Sequence, residues 1–190
     1  MPQDPRSKLE DIALDLVTEV GPRGFTMAEL SRRAGLSVAA PYRHFADRQE
    51  LLEALALRIV GLQRQRYLDA MAAEPTPRGK LVAFAVETVR FAANDGQVFD
   101  PMLPLQLTPD TPAIVELRTD VTLELLAAAS HFASDQNAQL DLLVRLSAAT
   151  YGLASLYREG ALPEEQRSVA IIEAQAVRLA DAILQERAPL

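Results

Sequence analysis

The decisive stretch of this chain is residues 25–48, which read FTMAELSRRAGLSVAAPYRHFADR. A capping box at residues 26–29 predicts that a short helix begins there, because its Thr and Glu side chains can each satisfy a free N–H of the helix start. Gly35 can take the left-handed conformation that ends a helix, and Ser37 can cap the next helix. The stretch therefore predicts a helix-turn-helix whose second helix covers residues 37–44. A plain helical hairpin is the alternative, because any such hairpin can use Gly and Ser in its turn.

Helical signals continue on both sides of this stretch. Towards the N-terminus, a capping box at residues 7–10 and apolar residues at helical spacing up to residue 20 predict one helix. The Gly-Pro pair at residues 21–22 ends that helix. Towards the C-terminus, a capping box at residues 47–50 opens a long helix that runs to about residue 73.

The rest of the chain also reads as helices, which are longer and apolar on more of their faces. They are predicted at residues 77–94, 112–134, 138–159 and 163–187. Residues 95–112 contain four prolines, which predict turns and short helical pieces. No stretch of useful length alternates apolar and polar residues as a half-buried strand does. The fold class is therefore all-α, with about nine helices.

The change from short capped helices to long apolar ones indicates two domains. We expect a helix-turn-helix domain at residues 1–50 and a larger domain at residues 51–190, connected by the helix at residues 47–73. A chain of 190 residues is long enough to bury a sizeable core in such an arrangement.

The composition excludes several kinds of site. Zero cysteines rule out a disulfide scaffold, a thiolate metal site and a cysteine nucleophile, and two histidines leave little for a His-rich metal centre. The sequence lacks phosphate-binding loops, nucleophile elbows and zinc-protease motifs, so we expect neither an enzyme nor a cofactor. No apolar run approaches the roughly 18 residues of a membrane span, and no signal region follows the N-terminus. We therefore expect a cytoplasmic protein without a membrane partner.

The net charge of −7 argues at first against nucleic acid as a partner. Its distribution reverses that argument, because the first 70 residues carry 10 basic and 10 acidic side chains, whereas the remainder carries 9 and 16. Between residues 22 and 48 there are five arginines and two acids, a local charge of +3. The basic charge coincides with the helix-turn-helix, which favours a DNA contact there.

The segment at residues 7–60 resembles the N-terminal domain of the tetracycline-repressor (TetR) family of bacterial regulators, with the likeness concentrated in the stretch quoted above. The resemblance implies that Tyr42 and His44 contact DNA phosphates and that Phe45 anchors the second helix in the domain core. Pro41 replaces the apolar residue that is commoner in the family. We expect its missing N–H to matter little so close to a helix start.

The predicted DNA contacts follow from this resemblance, from free N–H groups at helix N-termini and from the local arginines. The resemblance implies base reading in the second helix, where Arg43 is the best candidate for a bidentate guanine contact. Arg48 stands where the family usually has Lys. The predicted contacts are Thr26, Arg33, Ser37, Val38, Ala39, Ala40, Tyr42, Arg43, His44 and Arg48, with base reading by Val38, Ala39, Ala40 and Arg43.

One helix-turn-helix offers few base contacts, so we expect a homodimer that reads two half-sites of a palindromic operator. The last two long helices are the expected dimer faces. The predicted interface residues are Leu146, Gly152, Leu153, Leu156, Ile172, Ala176, Leu179 and Ile183. For Gly152 a close contact inside one chain is an equal alternative.

Members of the family bind a small molecule between their middle helices, so the resemblance implies a ligand site in the larger domain. We expect a small apolar or amphipathic ligand, although packed core is the plain alternative for each of these residues. The candidate ligand residues are Phe84, Phe91, Phe99, Met102, Leu103, His131, Phe132 and Tyr151. Residues 150–156 are also similar to a TetR subgroup with a Trp…His-Gly signature, in which Tyr151 takes the place of His and Ser147 that of Trp.

Together these features predict a dimeric, sequence-specific DNA-binding regulator of transcription, a repressor that a small molecule releases. The alternative is a helical module that binds a small molecule or a protein and has no DNA activity. Binding to DNA at low salt separates the two.

Overall fold

A computed structural model describes residues 4–94 and 112–185 of the chain. Within those ranges it contains seven α-helices, two 3-10 turns and no strand, so the all-α prediction is confirmed. The helices are α1 (Pro5–Gly24), α2 (Met27–Ala34), α3 (Arg48–Ala72), α4 (Pro77–Asn94), α5 (Pro112–Ala129), α6 (Gln136–Arg158) and α7 (Val169–Gln185), and the 3-10 turns are Pro41–Arg43 and Glu164–Gln166. The pieces predicted between residues 94 and 112 lie outside the described residues.

The described residues form two compact units, and α3 contributes to both. The first unit contains α1, α2, the turn Pro41–Arg43, α3 as far as Gly61, and the start of α5 up to Val115. The second contains α3 from Leu62, together with α4, the rest of α5, α6 and α7. The structural division therefore falls inside a continuous helix, whereas the sequence suggests a division at residue 50.

The first helix starts earlier than the capping box at residues 7–10 predicts. Pro5 is its first residue, and proline suits that position because its missing N–H would have no partner within the helix. Gly21 interrupts α1 with φ 71° and ψ 165°, and Pro22 follows inside the same element. The predicted stop at residues 21–22 is thus a break in the helix, made at a backbone conformation that favours glycine.

The first unit has its own apolar core. Its two largest buried side chains are Phe25, which precedes α2, and Phe45, which follows the turn Pro41–Arg43. The predicted role of Phe45 as an anchor is therefore confirmed. Helices surround these rings with further buried side chains, namely Leu9, Leu16, Val17, Leu30, Leu51 and Leu55.

The core of the second unit lies where α4 packs against both α6 and α7. Two of the three buried residues of α7 are alanines, whose small side chains allow helices to approach closely. The buried residues of this core include Leu81, Phe84, Ala85, Val89, Leu146, Ile172, Ala176 and Ala180. The apolar residues on several faces of the C-terminal helices are the residues that fill this core.

Two of the C-terminal helices end or begin elsewhere than predicted. The helix predicted at residues 112–134 ends at Ala129, and Asp135 then caps α6 by accepting a hydrogen bond from the N–H of Ala138 at 3.0 Å. The helix predicted at residues 163–187 begins only at Val169. Its cap is Ser168, and the residues before it form the second 3-10 turn.

Two features are absent from the described ranges. No helix there has the length and hydropathy of a membrane span. No three His, Cys, Asp or Glu side chains there are grouped so that they could hold a metal ion.

Candidate DNA-binding site

Residues 37–44, which we call the reading segment, do not form the predicted α-helix. A first turn is closed by a 2.9 Å hydrogen bond from the N–H of Ala40 to the carbonyl of Ser37, and the 3-10 turn Pro41–Arg43 follows. Pro41 accounts for the difference, because it has no N–H to donate to the carbonyl four residues earlier. The prediction that this missing N–H matters little is therefore wrong.

Most side chains of the reading segment are exposed, and a minority anchor it in the domain. Pro41 is buried, and Phe45 is buried directly after the segment. Val38 is 61% exposed and Tyr42 is 48% exposed. The exposed residues of the segment are Ser37, Val38, Ala39, Tyr42 and Arg43, and the half-buried ones are Ala40 and His44. The segment is thus anchored from one side and offers the rest of its side chains to a partner.

The ends of α2 set the point at which the reading segment begins. Thr26 caps the helix as predicted, since its Oγ1 accepts a hydrogen bond from the N–H of Glu29 at 3.2 Å. At the other end Gly35 takes φ 67° and ψ 31°, and the N–H of Leu36 bonds to the carbonyl of Ser31 at 2.9 Å. This left-handed cap turns the chain directly out of α2.

Arg32 and Arg33 are held in ion pairs. Arg33 donates two hydrogen bonds of 2.6 and 2.5 Å to the carboxylate of Glu19 on α1, and its Nε lies 3.3 Å from Glu29. Arg32 donates to Glu29 at 2.8 and 2.6 Å. Hydrogen bonding to Arg32 is the main cause that lowers the pKa of Glu29 to about 2. A phosphate that approaches Arg33 must therefore compete with Glu19.

Arg48 holds the loop between α1 and α2. Its Nε donates to the carbonyl of Phe25 at 3.0 Å, and its Nη2 donates to the carbonyl of Pro22 at 2.5 Å. The guanidinium also lies 5.9 Å from the centre of the Phe25 ring. Arg48 is half-buried, so the structure places it in support of the domain, although the sequence points to a phosphate contact.

Arg6 is a residue of the site that the sequence analysis missed. Its Nη1 donates to the carbonyl of His44 at 3.0 Å, at the end of the reading segment, and its guanidinium lies 4.5 Å from the centre of the Phe45 ring. Glu10 and Glu50 balance its charge at 3.3 and 3.6 Å. No local signal points to this contact, because it joins residues 38 positions apart.

Two arginines and a tyrosine are among the polar side chains of the first unit that remain available to a partner. Among the described residues, the guanidinium groups of Arg23 and Arg43 and the hydroxyl of Tyr42 have neither a hydrogen bond nor an ion pair. All three residues are exposed. Each of them can bind an anion without breaking an existing contact.

Comparison with known proteins identifies this part of the chain. The family model of the tetR family of bacterial regulatory proteins matches residues 11–55. We call residues 11–55, which match this family, the TetR-family segment. The TetR-family segment contains most of α1, all of α2, the reading segment and the start of α3.

Individual proteins resemble the chain over different lengths. The HTH-type transcriptional regulator BetI of Rhizobium meliloti (strain 1021) is 34% identical over 94 residues, which cover 44% of this chain and 46% of the relative. The match thus spans less than half the length of that TetR-like relative.

Solved structures match almost the whole chain. A protein of unknown function from Rhodococcus sp. RHA1 matches 96% of this chain and 97% of its own, with a TM-score of 0.77 and 24% identity. A TetR variant from Acinetobacter baumannii AYE in complex with minocycline matches 98% and 100%, with a TM-score of 0.66 and 17% identity. At these identities the structures show that the fold is shared.

Outside the TetR-family segment, the predicted ligand residues have very different surroundings. Phe84 and Phe91 are buried, Phe132 and Tyr151 are half-buried, and His131 is exposed. His131 lines a cavity of about 230 Å³ together with Thr76, Lys80 and Ala128. Phe99, Met102 and Leu103 lie outside the described residues.

A buried hydroxyl pair near these residues was not predicted from the sequence. The hydroxyls of Tyr67 and Thr88 lie 3.1 Å apart, and Gln63 donates to Tyr67 at 2.9 Å. The Tyr67 ring packs on Phe84 with 4.8 Å between ring centres. Burial raises the pKa of Tyr67 well above its usual value, and the nearby Tyr151 adds to this. The sequence contains one signal for this contact, because Tyr67 is the one tyrosine of α3 and follows Gln63, a possible hydrogen-bond partner, by one helical turn.

Four of the predicted dimer residues are corrected by the structure. Leu146, Leu153, Ile172 and Ala176 are buried inside the second unit, so they have no surface left for a partner chain. The sequence shows apolar residues on several faces of these helices but does not show which face α4 covers. Of the remaining four, Gly152 and Leu156 are exposed, and Leu179 and Ile183 are half-buried.

A row of exposed residues at intervals of four forms a slanted ridge along α6, because residues four apart are neighbours on the helix surface. We call these residues the α6 ridge, and they are Leu140, Val144, Ala148, Gly152 and Leu156. None of them is charged, and all five are exposed. Val144 alone leaves 65% of its surface open.

Proposed function

We propose that this protein is a homodimeric transcriptional regulator that binds a palindromic operator in double-stranded DNA. One observation carries the proposal, namely that a TetR-family segment presents Val38, Tyr42 and Arg43 outward while Pro41 and Phe45 anchor the segment from behind. The major groove can take up a segment of this size and match its polar and apolar side chains. The relatives named as transcriptional regulators support the same conclusion.

The free side chains receive the first roles in DNA binding. Arg43 donates to a guanine, and the hydroxyl of Tyr42 donates to a phosphate oxygen. Val38, Ala39 and Ala40 contact base edges, whereas Thr26, Ser37 and His44 meet the backbone. Arg23 adds a phosphate contact, because it is exposed and without a partner among the described residues.

The two arginines with existing partners receive different roles. Arg33 binds phosphate only if it is released from Glu19 or shared with it, which makes its contribution smaller than that of a free arginine. Arg48 acts by positioning, because it holds the carbonyls of Pro22 and Phe25 and so fixes the entry to α2. Both assignments revise the direct contacts expected from the sequence.

We place the ligand site in the second unit beside the half-buried Tyr151, which lies next to the buried pair of Tyr67 and Thr88. Apolar walls with a small number of polar groups suit a small amphipathic molecule. The chain shares its fold with a TetR variant from Acinetobacter baumannii AYE that was solved in complex with minocycline, which supports a ligand site in this part of the chain. The ligand of this chain is defined only by class.

The proposed dimer contact is the α6 ridge, joined by the half-buried Leu179 and Ile183 of α7. A ridge built on Ala148 and Gly152 at its centre lets a second helix approach closely, with larger apolar side chains on both sides. Two copies of the same ridge form the self-complementary contact of a twofold dimer.

Ligand release is proposed to work by a shift between two populations of the dimer. The ligand favours the population in which the two reading segments no longer match successive major grooves. α3 links the events, because it belongs to both structural units. The regulator acts on chromosomal DNA in the cytoplasm, and we attribute no catalytic role and no cofactor to it.

The test is a binding assay on the DNA upstream of the protein's own gene, with footprinting and a salt titration. We expect a palindromic footprint and an affinity that falls steeply with salt. Arg23→Ala should lower the slope of log affinity against log salt by about 2 in a dimer, because it removes one phosphate contact from each subunit. Arg178→Ala, an exposed change on α7, is the control and should leave the slope unchanged. Absence of binding at low salt without ligand would favour the DNA-inactive module.

A further inference from the structure

The first turn of the reading segment is apolar at its tip. The hydrogen bond from Ala40 to Ser37 closes this turn at 2.9 Å, which makes Val38 and Ala39 its two central residues. Both side chains are exposed, and so is the neighbouring Leu36. A branched aliphatic side chain at the tip of an exposed turn gains nothing from contact with water, so this position is suited to a partner with an apolar group.

DNA presents one apolar group on its base edges in the major groove. This group is the 5-methyl of thymine, and 5-methylcytosine carries the same group, whereas cytosine has only a hydrogen at that position and the nitrogen and oxygen groups of the base edges donate or accept hydrogen bonds. Val38 and Ala39 have no side-chain donor or acceptor, so they can distinguish bases only by such a contact. The free cations of Arg23 and Arg43 supply the attraction that brings this turn to a polyanion.

We propose that Val38 and Ala39 read thymine through its 5-methyl group, and that each operator half-site contains at least one thymine at the position opposite this turn. The inference rests on the proposed function and adds the chemistry of the sequence that is read. Val38 supplies the larger contact, while the small Ala39 and Ala40 keep the backbone close to the base edge. Arg43 reads a different base pair through its guanidinium.

The test removes single methyl groups from the DNA. After the operator has been defined by footprinting, each thymine of one half-site is replaced in turn by deoxyuridine, which differs only in lacking the methyl. We expect affinity to fall about four-fold at one or two positions, the equivalent of one buried methylene group. At such a position, a C·G pair and a 5-methylcytosine·G pair are then compared, and the methylated pair should bind more tightly.

Two protein variants assign the effect to the turn. Val38→Ala should reduce the penalty for deoxyuridine at its position to less than two-fold, because the contact to the methyl is already lost. Val20→Ala is the matched control, since Val20 is 46% exposed and lies on α1 outside the reading segment. It should leave the full penalty in place. Circular dichroism of each variant establishes that both are folded.

The outcomes separate the inference from the proposed function. If the protein binds and footprints an operator but no deoxyuridine weakens binding, the thymine inference is wrong and the regulator stands. A penalty that persists unchanged at every position in Val38→Ala also overturns it. If no DNA is bound at low salt, the proposed function is wrong, and the inference fails with it.

Discussion

Arg6 shows how one side chain can control the reading segment without belonging to it. Its hydrogen bond to the carbonyl of His44 holds the end of the segment, and its position over Phe45 ties the same place to the core. Glu10 on α1 and Glu50 on α3 fix the guanidinium in turn. One residue thereby joins two helices to the segment that is proposed to enter the major groove.

Arg6→Ala should lower both the stability and the DNA affinity of the protein. A hydrogen bond from a charged group contributes about 1.5–3 kcal/mol, but the side chain is partly exposed, so we expect a loss of about 1 kcal/mol. Denaturant unfolding and a DNA titration measure the two effects. Lys8→Ala on the same helix is the control and should change neither. If Arg6→Ala has the same free energy of unfolding as the natural protein, the contact does not stabilise the fold.

The ion pairs of Glu29 make the stability of the first unit depend on pH. Hydrogen bonding to Arg32 lowers the pKa of Glu29 from 4.5 to about 2 in the folded protein. Because the folded pKa lies below the unfolded one, the stabilisation is complete above pH 4.5 and is lost as the pH falls towards about 2. The carboxylate is then protonated, and the arginines lose their partner.

Glu29→Gln should therefore melt at a lower temperature than the natural protein at pH 7, and the difference should shrink steadily below pH 4.5. Thermal melting followed by circular dichroism at several pH values measures this difference. Glu165→Gln, a change at an exposed carboxylate of the second unit, is the control and should follow the natural protein. If the difference in melting temperature stays constant down to pH 2.5, the ionisation of Glu29 is not coupled to the stability of the protein.

At the scale of elements, the caps of α2 decide how the reading segment is presented. Gly35 ends the helix at φ 67°, a conformation that side chains with a Cβ adopt only with strain, although nothing lies within 4 Å of where a Cβ would be. The cost of a substitution there is therefore a backbone cost and not a clash. Gly61, inside α3, has equally open surroundings without the unusual φ.

These two glycines should respond to the same substitution in opposite directions. Gly35→Ala should destabilise the protein by about 1 kcal/mol, because alanine resists the left-handed conformation. Gly61→Ala should stabilise it by about 0.5–1 kcal/mol, because alanine favours the helix. Denaturant unfolding of both variants measures the two changes, and a loss of stability in Gly61→Ala would contradict this account of the helix.

At the scale of the whole molecule, the α6 ridge is an apolar surface that no other part of the described chain covers. An uncharged ridge of five exposed residues along a helix is unusual for a surface that meets only water. A contact between two copies would remove it from water and set the distance between two reading segments. The proposed operator symmetry depends on this contact.

Val144→Arg should convert the dimer to a monomer and reduce operator affinity while the chain stays folded. A charge in the middle of an apolar contact loses its hydration without gaining a partner. Light scattering after size-exclusion chromatography measures the oligomeric state. Leu123→Arg is the matched control, because Leu123 is 60% exposed on α5 and Val144 is 65% exposed. A Val144→Arg protein that remains dimeric would place the interface elsewhere.

Local signals in the sequence determined the elements of this protein. Thr26 and Gly35 act through hydrogen bonds or backbone conformations within five residues, so the start and the end of α2 that they form can be predicted from adjacent letters. The family resemblance in residues 25–48 depends on the same local pattern. Pro41 is the exception, because its effect on the reading segment was local but was underestimated.

Only the tertiary structure decided which side chains are available. Arg6 with His44, Arg33 with Glu19, and Tyr67 with Thr88 are joined across 38, 14 and 21 positions. Which face of α6 is buried likewise depends on α4 and α7, not on α6 itself. Such contacts arise when helices pack, and packing depends on all the surfaces that meet. The sequence by itself therefore determined where the helices and caps around the reading segment lie, and the packing decided which of their side chains remain without a partner.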